Sequence, residues 1–249
     1  GIASQVRLHC LRQMLEDEAH LQEQFHGVRL GLRQQQDFRS WLLQGAPERI
    51  GRQLPGHAEL PRLQELRAPQ EGQRLGQPLY RLFGLNPARI PPSSFTIAID
   101  TPELMAERAA AAAVPVLKIK LGDDHDEARV VAIRRACASR LRVDANAGWS
   151  REKARRLLPR LAELGVELVE QPLPAGDLEG LRALRAINPR PPIFADESIK
   201  TSADIVAHAG SVDGVVIKLA KCGGLREAWR QIAVAHALDL SVMLSCMIE

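Results

Sequence analysis

Aromatic residues supply only 4% of this 249-residue sequence, a single tyrosine among them, and no hydrophobic run is long. The longest uncharged apolar stretch, Ala109 to Leu117, falls far short of the roughly 18 residues that cross a bilayer, and no basic-then-apolar leader opens the chain. No membrane span is expected, and the chain reads as a soluble, cytoplasmic protein. Cysteine is scarce as well. Cys10, Cys137, Cys222 and Cys246 are too few for a disulfide scaffold of this length and too far apart for a zinc ribbon, so they read as reduced thiols. Lysine is the most informative scarcity: of 33 basic residues only six are lysines, and none precedes Lys118. Arginine is therefore the default surface cation, and each lysine draws attention.

The formal net charge of +3 is small, and its surplus sits in residues 1–90, where 12 arginines face 9 acidic residues, whereas residues 91–249 carry 21 of each sign. A nucleic-acid-binding protein shows a clustered basic face, which this dispersed excess does not supply. At 45% hydrophobic and 25% charged, the composition is that of a globular protein with one large domain or two small ones, and disorder, collagen and coiled coil are excluded.

Composition changes near residue 90. Thirteen of the 15 glutamines lie at or before Gln77, in a segment interrupted by Pro47, Pro55, Pro61 and Pro69 and by Gly45, Gly51 and Gly56. Residues 1–90 are expected to be an irregular N-terminal region, and residues 91–249 a separate domain. In the second part short β-branched runs recur: Phe95–Ile99, Val116–Leu121, Leu141–Asp144, Val166–Glu170, Ile193–Asp196, Val215–Leu219 and Leu240–Cys246. Helix starts lie between them, with Thr101 before Pro102, Ser150 before an Arg/Leu amphipathic stretch, and Thr201 with Asp204 as a capping box. Near-continuous apolar strands joined by helix-length crossovers imply a parallel sheet, and seven in a row predict an α/β fold of the (β/α) barrel type.

Polar residues interrupt the strands near their C-terminal ends, at Lys120, Asp144, Glu170, Asp196 and Lys218, spaced by 24, 26, 26 and 22 residues. Each interval is one strand, one helix and two loops, so all five belong to the rim where barrel active sites are built. A lone carboxylate at a strand end is most simply the N-cap of the next helix; five polar residues in register are harder to assign that way. Three carboxylates on adjacent strands, without His or Cys, suit Mg²⁺ or Mn²⁺ better than zinc. Lys118 shares the face of Lys120 on strand two, and Lys218 stands on strand six. Flanking lysines predict removal of an α-proton from one face of a metal-bound carboxylate substrate and its return on the other, through an enediolate that the cation stabilises.

The runs Lys118-Ile-Lys120, Arg142-Val-Asp144-Ala-Asn146-Ala-Gly148-Trp149, Val169-Glu170-Gln171-Pro172, Ala195-Asp196-Glu197-Ser198 and Ile217-Lys218-Leu-Ala-Lys221-Cys222-Gly223-Gly224 resemble the enolase superfamily. Its muconate-lactonizing subgroup is the nearest likeness. The Lys-Cys-Gly-Gly and Cys246-Met247-Ile248-Glu249 strings are most similar to dipeptide epimerases of the L-Ala-D/L-Glu type. The resemblance implies one Mg²⁺ held by Asp144, Glu170 and Asp196, Lys120 and Lys218 as the acid/base pair, and Lys118 as their electrostatic neighbour. It also implies substrate contacts at Thr96, Cys246 and Met247, a small-molecule dipeptide or other α-carboxylate as substrate, and an isomerase activity. It covers roughly residues 73–249; Arg74–Gly84 is similar to the last helix of the family's α+β capping domain, and nothing before residue 70 matches that domain. An eighth strand bearing an acidic pair is expected in the family, and seven strands are read here, so the chain is expected to be truncated or divergent at both ends and, as given, nearly inactive.

Rival readings differ in what they need. Muconate cycloisomerase, o-succinylbenzoate synthase and N-acylamino acid racemase share the barrel residues; an inactive fragment is the alternative of another class. A Schiff-base aldolase using Lys218 would not need three carboxylates. Asp123-Asp124-His125-Asp126 follows a strand and opens a helix, so capping and dipole complementarity account for it without a metal. A homo-oligomer is left open.

Overall fold

A computed structural model of the chain describes residues 68–247, and the irregular stretch expected before residue 68 lies outside the described residues. The chain divides into two units, residues 1–91 and 92–249. In the first, the segment read as one helix over Arg74–Gly84 is two: α1 (Ala68–Leu75) and α2 (Leu79–Leu82). Gly76 adopts φ +59°, where a β-carbon would be strained, and Pro78 at the start of α2 brings no amide donor, so the helix ends and restarts. A 3₁₀ turn over Pro87–Arg89 follows, capped by Asn86 Oδ1, which accepts from the Ala88 amide at 3.0 Å.

The second unit alternates strand and helix: β1 (Phe95–Ile97), α3 (Pro102–Ala112), β2 (Val116–Lys120), α4 (Asp126–Ala136), β3 (Arg140–Asp144), α5 (Arg151–Glu163), β4 (Val166–Glu170), α6 (Leu178–Arg185), β5 (Ile193–Ala195), α7 (Ser202–His208), β6 (Gly214–Lys218), α8 (Leu219–Cys222), α9 (Leu225–Ala237) and β7 (Ser241–Ser245). The strands form one parallel sheet in sequence order, β1 to β7. This is the expected (β/α)-barrel architecture, with seven strands among the described residues. The expected helix starts are in place: Thr101 Oγ1 accepts from Leu104, Ser150 Oγ from Lys153, and Thr201 and Asp204 form a reciprocal capping box. No helix of the described residues is long and apolar enough to cross a membrane.

Helix faces and the outward strand residues make the core. Leu117, Ile119, Leu141, Val143, Val169, Ile193, Val215 and Ile217 are fully buried, against Met105, Ile133, Leu158, Leu161, Leu181 and Ile205 from the helices. Burial of each such side chain contributes about 1.5–3 kcal/mol. The opposite strand face carries a smaller cluster of Leu168, Phe194 and Val216 with Met243 packed on it. Gly214, on β6, is required by this cluster, since a β-carbon there would lie 2.5 Å from two atoms of the Phe194 ring. The ring shares its buried cluster with Leu168 and Val216. Gly214→Ala is expected to cost about 1–3 kcal/mol by overpacking. A thermal melt should show a drop of several degrees, largely recovered when Phe194→Leu is added; an unchanged melt would show that the ring yields.

Candidate active site

Strand pairing decides which side chains meet. Lys120 pairs with Asp144, Asp144 with Glu170, and Glu170 with Phe194. The Asp144–Glu170 match depends on an irregularity between Leu141 and Arg142: Leu141 pairs with Val166, but Arg142 pairs with Leu168, leaving Glu167 as an extra residue. Without that bulge Asp144 would face Val169, and Glu170 would point to the helix-covered side, because a one-residue slip reverses every side chain on a strand. Glu167 accepts from Arg142 Nε at 2.6 Å and Arg140 Nη1 at 3.2 Å, holding the bulge by charge.

Past β4 the register drifts. Phe194 pairs with Gly214, so Asp196 lies two residues beyond the Lys120 level and Lys218 four residues beyond. These offsets are even and keep both side chains on the inner face. Glu170 and Asp196 are nonetheless neighbours whose charges act on one another, and Lys218 Nζ donates to Asp196 Oδ2. The drift is the tilt of barrel strands, which converts a level rim into a staggered ladder.

The three carboxylates are buried, at 0%, 1% and 0% exposure for Asp144, Glu170 and Asp196. Their repulsion is relieved within the chain. Lys118 Nζ lies 2.9 Å from Asp144 Oδ2 and donates to Glu170 Oε1 at 2.8 Å; it is 2.7 Å from Oε2 in an ion-pair contact that lacks hydrogen-bond geometry. Lys120 Nζ donates to Asp144 Oδ2 at 2.7 Å and Asn146 Oδ1 at 2.8 Å. Lys218 and Lys221 cover the two oxygens of Asp196, and Lys221 also donates to the Asp196 and Val216 carbonyls. With ammonium groups interposed, no group of three His, Cys, Asp or Glu side chains among the described residues is gathered as a ready metal cluster.

Burial, with the charge of Asp144 beside it, pushes the Glu170 carboxyl up to about 8, so at neutral pH the protonated acid is favoured. Burial also works against ionised Asp144 and Asp196. It is outweighed by Lys118 and Lys120 for the first, and by Glu170, Lys218 and Lys221 for the second, so both stay below the usual carboxylate range. Burial opposes the Lys118 ammonium too, but Glu170 and Asp144 hold it above the ordinary lysine value, whereas burial prevails at Lys221 and lowers it. A buried, all-oxygen trio whose two aspartates stay ionised by borrowing ammonium groups fits a hard divalent cation by its donor chemistry.

Lys118, Lys120, Asp144, Glu170, Asp196 and Lys218, the six residues read from the sequence as catalytic or metal-binding, thus form one connected cluster. The three read as substrate contacts lie outside this bonded cluster. Thr96 is exposed on β1 and paired with Lys118 in register, and Cys246 and Met247 are exposed just past β7. Among the described residues no side-chain hydrogen bond or ion pair joins them to the carboxylates. Lys221, Asn146, Gln171 and Glu197 were not singled out. Each lies one to three residues past a strand-end residue, and the scarcity of lysine was itself a signal for Lys221. Gln171 is fully buried, accepts from the Asp196 amide at 2.8 Å and donates to the Leu173 carbonyl at 2.8 Å, tying the loop after β4 to β5.

Asp126 also proves central, though not as a ligand. Buried at the start of α4, it accepts from the Gly122 and Asp123 amides at 2.9 and 3.1 Å and from Trp149 Nε1 at 2.7 Å, and pairs with Lys153 at 2.9 Å. It joins the loops that follow Lys120 and Asp144. Asp126→Ala is expected to cost about 3–5 kcal/mol, because it takes a buried carboxylate away from half-buried Lys153 and leaves three donors, the Trp149 indole among them, without their acceptor. Chemical denaturation would measure it, and a loss below about 1 kcal/mol, the worth of one ordinary hydrogen bond, would refute the network's role.

Residues 100–249 match the family model described as Enolase C-terminal domain-like. An L-Ala-D/L-Glu epimerase of Bacteroides thetaiotaomicron is 40% identical over 181 residues, which is 72% of this chain and 47% of that protein. A hydrophobic dipeptide epimerase of Roseobacter litoralis is 44% identical over 200 residues, covering 75% of this chain and 56% of that one. Among solved structures, the dipeptide epimerase of Enterococcus faecalis complexed with Mg and L-Leu-L-Tyr is 38% identical, with a TM-score of 0.60 over 62% of this chain and 46% of its own. The chain spans about half the length of the curated relatives it matches.

Proposed function

Because this chain belongs to the Enolase C-terminal domain-like family, within the enolase superfamily, we propose that it is an isomerase that epimerises dipeptides of the L-Ala-D/L-Glu type at the α-carbon of the C-terminal residue. The observation that carries this reading is the placement of Lys120 and Lys218 at opposite ends of a ladder of three buried carboxylates, all on the inner sheet face. A lysine on each side of a bound α-carbon is what inversion requires, and retention of configuration would need only one.

Asp144, Glu170 and Asp196 would hold one Mg²⁺, which when bound supplies positive charge against which the substrate carboxylate can accept the electron pair of the breaking C–H bond. The remaining work belongs to the chain. One lysine Nζ takes the α-proton from its face of the substrate while the other gives a proton to the opposite face, and the roles exchange for the reverse reaction. Lys118 bridges Asp144 and Glu170 and holds those two together. The C-terminal strand ends and the loops beyond them bind and orient the rest of the dipeptide.

Incubation of the purified protein, extended by the eighth strand that the family resemblance leads one to expect, with L-Ala-L-Glu in D₂O and Mg²⁺ should yield the second epimer with deuterium at the α-carbon of glutamate. L-Leu-L-Tyr in parallel distinguishes the acidic from the hydrophobic specificity. Inversion without solvent deuterium, or no turnover of either dipeptide, would overturn the reading.

A further inference from the structure

A lysine ammonium has three N–H donors at tetrahedral angles. On Lys120 two are directed, to Asp144 Oδ2 at 2.7 Å and to Asn146 Oδ1 at 2.8 Å. Two fixed directions determine the third, which is the one left for exchanging a proton with substrate. Asn146 is itself held, because its Nδ2 donates to Glu197 Oε1 at 3.0 Å. The amide has only one workable orientation here, since the ammonium can only donate and the carboxylate can only accept.

Resting on the two-lysine reading above, we propose that Asn146, oriented by Glu197, is a positioning residue that aims the Nζ of Lys120 and leaves Lys218 untouched. Two features indicate that the arrangement is maintained against a cost. Asn146 and Ala147 stand consecutively in the left-handed region, at φ +45° and +61°, strained for residues with a β-carbon. They are pinned there by the Asn146 amide donating to Asp144 Oδ1 at 3.0 Å and the Ala147 amide donating to the Gln171 carbonyl at 2.8 Å. At the other end, Oε2 of Glu197 is buried and accepts no hydrogen bond, which leaves the bond of its other oxygen to Asn146 as the carboxylate's side-chain hydrogen bond among the described residues. Lys218 is outside this chain of bonds; its partner is Asp196.

The test uses the two C-terminal epimers of Ala-Glu separately and reads exchange of each α-proton with solvent deuterium. Asn146→Gly removes the amide while accepting the left-handed backbone without strain. It is expected to slow exchange about 100-fold for the epimer whose exchange is lost in Lys120→Ala, the scale of a small misplacement of a reacting group, with KM unchanged and the other epimer exchanging at the wild-type rate. Asn146→Asp keeps an acceptor for Lys120 but turns its back on Glu197, and should fall between the two. Glu197→Gln can still accept from Asn146 and should retain more of the same epimer's exchange than Glu197→Ala. Equal slowing of both epimers, or of neither, would overturn the positioning role while leaving the epimerase reading intact. Absence of exchange in the wild-type protein would instead overturn that reading and this proposal with it.

Discussion

Lys120→Ala and Lys218→Ala are each expected to abolish net epimerisation, yet each should still exchange the α-proton of one epimer, and not the same one. Loss of a positioned acid or base costs roughly 10²–10⁴-fold, and inversion needs both. Exchange needs only one: the surviving lysine removes the proton on its own face, solvent deuterium replaces it on that amine, and it is returned to the same face. Neither variant should unfold the sheet. Without Lys120 the buried Asp144 keeps Lys118 at 2.9 Å, and without Lys218 the buried Asp196 keeps Lys221. Each carboxylate retains one ammonium, so no charge is left buried alone. Mass spectrometry of each epimer after incubation in D₂O reads the result. Exchange of the same epimer by both variants would show that the two lysines share a face, and the two-base assignment would fall.

Chelation is expected to abolish turnover and Mg²⁺ to restore it, with Glu170→Gln losing the response. In this variant the amide has nearly the volume of the carboxyl, and at neutral pH Glu170 already carries a proton, its carboxyl being pushed up to about 8. The fold should therefore tolerate the change, with a melt in chelator close to that of the wild type. Metal affinity should not tolerate it, because the protonated acid can give up its proton to a cation and glutamine cannot; a fall of at least 100-fold is expected, the upper end of what outer-sphere partners alone contribute. A ligand that binds only the folded state raises its stability by about 2.7 kcal/mol at a concentration 100 times Kd. Titrating Mg²⁺ during thermal melts thus gives a readout independent of catalysis: a rising midpoint for the wild type, a flat one for Glu170→Gln. Full activity in excess chelator, or an equal rise in the two proteins, would remove the metal from the account.

Much of this arrangement is legible in the sequence. Alternating apolar runs and capped helices identify the barrel because local signals suffice: Thr101, Ser150 and Thr201 begin their helices through contacts within three residues. The strand-end residues were legible because barrel crossovers have nearly constant length, so functional positions recur at intervals of 22 to 26. The single helix read over Arg74–Gly84 was not, since Gly76 and Pro78 outweigh the helical residues on either side. Lys221, Asn146 and Glu197 escaped for a different reason: Asn146 and Glu197 lie in loops past the strands and Lys221 in the one-turn helix α8, where no period fixes which way a side chain points.

The sequence by itself therefore determined the architecture, the order of the strands and the five polar residues at their ends, all of them consequences of local propensity and repeat length. Tertiary structure alone decided how those residues meet. Only pairing between β3 and β4 could place the bulge at Glu167 that turns Glu170 inward, and only strand tilt could bring Asp196 and Lys218, two and four residues out of register, into contact with their neighbours. Which ammonium neutralises which carboxylate, and that Glu170 keeps its proton, follow from burial and distance between segments more than 20 residues apart. Interactions of that range depend on where the folded backbone puts each group, and a linear pattern of residues does not encode them one position at a time.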